Sequence, residues 1–248
     1  MSLSAAQIAA YRAAGHLTVT GVFDRDRMVQ AAADIERWGE DFLSHLPPDQ
    51  RQWYIDAGVQ TREVLRKLDN PVAHRPLIRG LAADPRLLGM VHDLIGEGGL
   101  TVMFSQVFFK PPEGGGPKPM HQDNFYFGPS DLDGLVTAWI ALDDATIENG
   151  CMSFGEGSQR GPVLRHVAPP GEPFNLQIPA DVASGIAMTP APVPCGCVSF
   201  HHGTTLHQSG TNRSSRWRRA CAIHYMNQKT VLAAPALPYD HSLFVRID

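Results

Sequence analysis

The stretch LTVMFSQVFFKPPEGGGPKPMHQD, residues 100–123, decides how this chain reads. Before it, apolar residues recur at helical spacing. Within it, Val102-Met103-Phe104 and Val107-Phe108-Phe109 are strand-like, rich in β-branched and aromatic side chains. Pro111 to Pro117 then breaks the backbone, and His121-Gln122-Asp123 follows directly. An H-x-D pair on a β-strand presents both side chains on one face, because strand side chains alternate with period two. The glycine-proline run is too short to separate domains and abuts the candidate ligands, which predicts a substrate-loop role.

Toward the N-terminus, Ser4 and Gln7 form a plausible capping box, with Gly15 as a stop. His16 to Val22 reads as a short strand. Asp24 is placed to cap a second helix that carries Met28, Ile35, Trp38 and Phe42 near one face and ends before Pro47-Pro48. Asp84-Pro85 opens a third helix with a stripe of Leu88, Val91 and Ile95. Arg62, Arg66 and Lys67 read as one face of a helix. Toward the C-terminus, Leu135 to Leu142, Cys197 to His201 and Ala220 to Met226 are strand candidates between turns rich in Gly, Pro and Asn. Helices first and short strands later predict helices packed against a double-sheet β-core. The expected organisation is one domain over 1–248: a helical part to about 99, a β-core over about 100–230, and a tail.

Composition narrows the function classes. A net charge of -4, with basic residues scattered, gives no electrostatic reason to expect nucleic acid. No window approaches the roughly 18 apolar residues that span a membrane. The N-terminus lacks the pattern of a signal peptide. The expectation is a soluble, cytoplasmic protein that acts on a small molecule as a monomer or small homo-oligomer. Cys151, Cys195, Cys197 and Cys221 match neither zinc pairs nor a disulfide framework, which predicts buried free thiols.

Two histidines and one carboxylate suit a facial iron site, which leaves one side of an octahedral ion open. HQD alone is weak in a chain with 11 histidines. Its weight comes from HQSGTNRSSRWRR, residues 207–219, where Ser209 follows His207 by two residues and Arg218 by eleven. Arginine binds a carboxylate through two parallel hydrogen bonds, and serine can add a third. A keto-acid co-substrate needs such a clamp at its far end.

These motifs resemble the phytanoyl-CoA dioxygenase family of Fe(II)/2-oxoglutarate oxygenases. The likeness rests on QVFFKPPEGG, PMHQDNFYF, VTAWIALDDATIENGCM, GEGS, VSFHHGTTLHQSGTN and RRACAIHYMN, which occur in the family's order, and more thinly on AAQIAAYRAAGHLTVTGVFD. It implies a mainly β fold with N-terminal helices around a double-stranded β-helix (jelly-roll, cupin-like) core. It assigns His121, Asp123 and His207 to iron, Arg218 with Ser209 to the distal carboxylate of 2-oxoglutarate, and Trp139 and Gln106 to the co-substrate pocket. His201 and His202 compete for the third ligand position; the H-x10-R spacing favours His207. His224 is expected in the core or behind the ligands, and Cys221 in the packing. Glu148-Asn149-Gly150 reads as a turn. Gly157-Ser158-Gln159 departs from the GSH common in the family, at a position remote from the chemistry. The retained Asp123 favours oxygenation over halogenation, since related halogenases carry a small residue there.

The implied reaction uses O2 to oxidise an unactivated C–H bond of a small metabolite, by hydroxylation, ring closure or desaturation, in bacterial secondary metabolism. The expected substrate lining is 111–120, Asn124 to Phe127, 160–180 and the C-terminal tail. Two rival readings stand beside it. A cupin-like metal-dependent isomerase or hydrolase would not need Arg218, and a non-catalytic binding module would not need the triad.

Overall fold

The break at Leu100 becomes an 11-residue strand, Leu100–Lys110, in the computed structural model, which describes residues 1–56, 64–170 and 175–247. It is the first of eight core strands. The others, in chain order, are Lys118–His121, Leu135–Ala141, Met152–Phe154, Thr189–Ala191, Val198–His202, His207–Ser209 and Arg218–Asn227. The sixth, third, eighth and first lie side by side in a larger sheet; the second, seventh, fourth and fifth form a smaller one. Every pairing is antiparallel. Eight strands divided four and four between two sheets in this order make a jelly roll. His16–Val19 extends the larger sheet beside the sixth strand, while Lys67–Asp69 and Val245–Arg246 pair with the first.

All seven residues of Leu135–Ala141 are buried, because both faces of this strand are covered. Val136, Ala138 and Ile140 join one cluster with Met28 and Ile35 of helix Arg25–His45, Leu81 of helix Pro76–Ala82 and Met90 of helix Pro85–Ile95. Trp139 and Ala141 point the other way, into the barrel, with Ala220, Ala222 and Phe154. The helices therefore cover the outer face of the larger sheet, and the inner face is left for the site. The expected disposition of Cys221 holds: it lies on the outer face, fully buried, where burial pushes its thiol up. All four cysteines are free.

Several local expectations match. The Ser4–Gln7 capping box forms, and Gly15 ends the helix at φ 83°, a left-handed conformation that suits glycine. The first strand is shorter than expected, ending at Val19. Asp24 stands at the N-cap of Arg25–His45, but its side chain makes no capping bond. The helical face expected for Arg62, Arg66 and Lys67 does not form: Lys67 opens a strand whose partner is the first core strand, and Arg62 lies outside the described residues. Arginine and lysine spacing mimicked a helix there, and pairing with a long neighbour overrode it.

Asp84 secures helix Pro85–Ile95 to its neighbours. It accepts from Arg86 N at 3.0 Å and pairs with Arg86 at 3.0 Å and Arg27 at 2.7 Å. The hydrogen bonds from Arg86 and then Arg27 outweigh burial and hold its carboxyl well below the usual carboxylate range. A depressed folded-state pKa stabilises fully above the unfolded value and is lost as pH falls through the folded one. Asp84→Asn should lower the urea midpoint at pH 7, and the gap to wild type should begin to narrow below about pH 4 and go on narrowing as the pH falls further. Urea melts across that range check this, and a gap unchanged down to pH 2 would contradict it.

Candidate active site

His121 ends the second core strand, His207 begins the seventh, and the two stand directly opposite in the antiparallel register. Their rings are 4.1 Å apart, centroid to centroid. Gln122 keeps an extended backbone at φ -128°, ψ 132°, so the alternation expected of H-x-D survives. Asp123 is nevertheless not on the strand: it is the first residue of a short helix, Asp123–Phe127. This corrects the expectation that both ligands share a strand face. The helix starts because Asn124 N is drawn to Gly203 O, which turns the chain immediately after the ligand pair.

The hydrogen bonds settle which nitrogen faces inward. His121 Nδ1 donates to Pro119 O at 2.8 Å and His207 Nδ1 to Thr205 O at 2.9 Å. A carbonyl only accepts, so both Nε2 atoms carry a lone pair. Those lone pairs point at Asp123 Oδ1, 3.9 Å from His121 and 3.7 Å from His207. All three ligand atoms lie within 4.8 Å of one another. Burial is the largest cause holding His207 down to about 4 and His121 well below its ordinary value, so both imidazoles are neutral near pH 7. Burial pushes the Asp123 carboxyl up, and its polar contacts, the hydrogen bond from His201 among them, outweigh burial and hold it well below the ordinary carboxylate value. Two lone pairs and an anionic oxygen around one small void fit a divalent cation, and imidazole with carboxylate suits iron among others.

The competing histidines are turned to other partners. His201 Nε2 is bonded to Asp123 Oδ2 at 3.0 Å. His202 turns toward Asp133, also at 3.0 Å. His224, fully buried and pushed down to about 4 mainly by burial, stands behind the triad against Thr137. Gln122 points away from the triad and binds Thr204 O and Leu164 N, tying two loops to the ligand segment.

The triad opens on a cavity of about 520 Å³, whose wall includes Arg218, Ser209, Trp139 and Gln106. Arg218 is only 2% exposed, and its Nε has no hydrogen-bond partner among the described residues. Its Nη2 donates to Gly150 O at 3.2 Å, and its guanidinium lies 5.5 Å from the Trp139 ring centre. Burial pulls it down to about 9, which leaves it cationic at neutral pH. The Glu148-Asn149-Gly150 turn, expected as a turn and nothing more, is thus what seats the arginine. Gly150 has φ 82°, and a Cβ there would meet Gly210 O at 2.2 Å. Gln106 lines the wall while bound to Asp69, which also holds Lys67.

Sequence reasoning missed Lys110, directly opposite Arg218 across the strand pair, whose Nζ donates to Gly116 O and Gly210 O. It also missed the wall supplied by Trp53, Tyr54 and Lys67. Its basic residues had been given to a helix, and only strand pairing turns Lys67 inward. The loop at Gly116 and Pro117, Tyr126, Phe127 and the tail at Tyr239 do line the cavity. Among the described residues, 160–180 lines none of it; Phe125 stacks on His166 instead, 4.0 Å away.

The phytanoyl-CoA dioxygenase (PhyH) family matches residues 11–220, and the chain belongs to that family. Phytanoyl-CoA dioxygenase domain-containing protein 1 of Mus musculus is 32% identical over 169 residues, 66% of this chain and 57% of its own length. A probable alpha-ketoglutarate-dependent hypophosphite dioxygenase of Stutzerimonas stutzeri is 27% identical over 218 residues, 85% of this chain and 74% of its own. The chain therefore spans little more than half of the mouse relative. The carbocyclase SnoK of nogalamycin biosynthesis, non-heme and alpha ketoglutarate dependent, superposes with a TM-score of 0.77 at 24% identity, covering 99% of this chain and 97% of its own. EctD from S. alaskensis with bound Fe gives 0.74 at 20%, covering 94% and 80%. These likenesses establish the jelly-roll fold. No helix among the described residues is long and apolar enough to cross a membrane.

The geometry separates the histidines by experiment. Mn(II) titrated into the protein should bind one ion per chain. His207→Ala and His121→Ala should each weaken it by about a hundredfold or more, while His202→Ala should bind as wild type does. Calorimetric titration decides, and a His202→Ala loss equal to that of His207→Ala would refute the assignment.

Proposed function

We propose that this chain is an Fe(II)- and 2-oxoglutarate-dependent dioxygenase. It oxidises an unactivated C–H bond of a small-molecule metabolite and works as one domain over residues 1–248. The observation that carries the reading is the pairing, in one cavity, of three converging ligand atoms with a buried arginine that has an unpartnered donor. Family membership supports it, as does a relative structure, SnoN, that holds Fe3+ and alpha ketoglutarate.

His121, Asp123 and His207 would hold the iron, which supplies the oxygen chemistry when bound. The protein's own part is placement. The two neutral Nε2 atoms and one carboxylate oxygen would be the iron's protein ligands, held together in the wall of the cavity. Arg218 receives the distal carboxylate of 2-oxoglutarate, helped by Ser209, and its burial strengthens the charge-assisted bonds. Trp139 forms the wall against which the guanidinium rests. Phe104, Phe127 and Tyr239, in mutual ring contact beyond the metal site, offer an apolar surface to the substrate and exclude water. A single retained carboxylate ligand favours hydroxylation over halogenation, and ring closure or desaturation at the same carbon would use the same site. The resemblance to nogalamycin-pathway enzymes supports a place in bacterial secondary metabolism. A metal-dependent isomerase or hydrolase would have no use for Arg218.

Anaerobic addition of Fe(II) and 2-oxoglutarate should produce a weak visible charge-transfer band. Arg218→Met should need at least about tenfold more 2-oxoglutarate, the cost of losing roughly 1.4 kcal/mol of carboxylate binding. Absence of the band in wild type, with His207→Ala no different, would remove the reading. Succinate release together with product detection across a metabolite panel then identifies the substrate.

A further inference from the structure

Two strand registers converge on Thr137. It stands directly opposite His201 on one side and His224 on the other. Residues directly opposite in antiparallel strands share a face. His201, Thr137 and His224 therefore form a row across the larger sheet, and all three line the cavity wall. Asp123 reaches this row from the end of the smaller sheet. Thr137 Oγ1 donates to Asp123 Oδ2 at 2.6 Å, and His201 Nε2 donates to the same oxygen at 3.0 Å. Thr137 Oγ1 in turn lies 2.8 Å from His224 Nδ1. The hydroxyl has one hydrogen, already given to Asp123, so His224 must donate to it.

Oδ2 is thus committed to the protein by two donors. Oδ1 is the oxygen that faces His121 and His207. We infer that Thr137, backed by His224 and flanked by His201, is the positioning residue that holds Asp123 as a one-oxygen metal ligand; this rests on the metal-site reading above. A carboxylate free to turn could offer both oxygens and take a further coordination position, leaving fewer for co-substrate and dioxygen. Threonine suits the task because its hydroxyl gives and takes one bond each. Valine has the same shape and can do neither.

The test uses the full chain and Co(II) alone, titrated without oxygen and followed by absorption. Thr137→Val should weaken Co(II) by about ten- to a hundredfold, the usual effect of removing a partner that orients a ligand, and Thr137→Ser should restore affinity to within about threefold of wild type. His201→Leu removes the other donor to Oδ2 and should weaken Co(II) in the same direction, which keeps the test open if Thr137→Val does not fold. The melting temperature of each metal-free variant is recorded beside its affinity. A lowered melting temperature with wild-type Co(II) affinity would reduce the row to structural support and overturn the inference, while wild-type binding still upheld the metal-site reading. Failure of the wild type to bind Co(II) would overturn both.

Discussion

Asp123 carries a buried negative charge, and the polar interior of this barrel is arranged around it. Removing a carboxylate from water costs several kcal/mol unless hydrogen bonds and opposite charge replace the lost hydration. At 6% exposure Asp123 has little water to lean on. The larger sheet meets one oxygen with a hydroxyl and an imidazole. The smaller sheet offers the other oxygen only lone pairs, from His121 and His207. Half of the carboxylate is satisfied by the fold itself, and the other half faces His121 and His207, an arrangement that could hold a cation.

A second constraint sets where the cavity lies. Inward positions on Arg218–Asn227 read Arg218, Ala220, Ala222 and His224, and the alternate positions pack under the helices through Cys221, Ile223 and Tyr225. Two alanines between a guanidinium and an imidazole leave space where larger side chains would fill the barrel. That space is walled by the buried Arg218 and Lys110 and by His121, Asp123 and His207. Burial, first, and Arg218 pull the Lys110 ammonium well below its ordinary value. An anion placed beside Arg218 would meet its buried positive charge, in keeping with a dicarboxylate co-substrate.

Parts of this arrangement were legible from residue order. LVTAWIAL reads as a strand because an apolar run between turns has few other uses, and the chain indeed buries it on both faces. The short strands of the smaller sheet, such as His207–Ser209 and Met152–Phe154, carry no such signal. They have three residues each and are held by their partners, not by propensity. Lys67 departs from its helical expectation for a related reason: a basic spacing that suits a helix surface says nothing of a long neighbouring strand that recruits it. Thr137 and His201 drew attention only as a strand residue and a rival ligand, since their task depends on what lies across the sheet.

Residue type and spacing alone determined the chemistry on offer: a histidine and an aspartate two apart, a distant histidine, and an arginine eleven residues beyond it. Those are local properties, carried by side-chain functional groups and backbone alternation. Tertiary structure decided which nitrogen and which oxygen face one another, which histidines converge on Asp123 Oδ1 and which one bonds to Oδ2, and which cavity the arginine shares with the triad. Those outcomes follow from strand register and sheet packing, which bring residues 14 to 87 positions apart into hydrogen-bond contact and leave no trace in any short stretch of the chain.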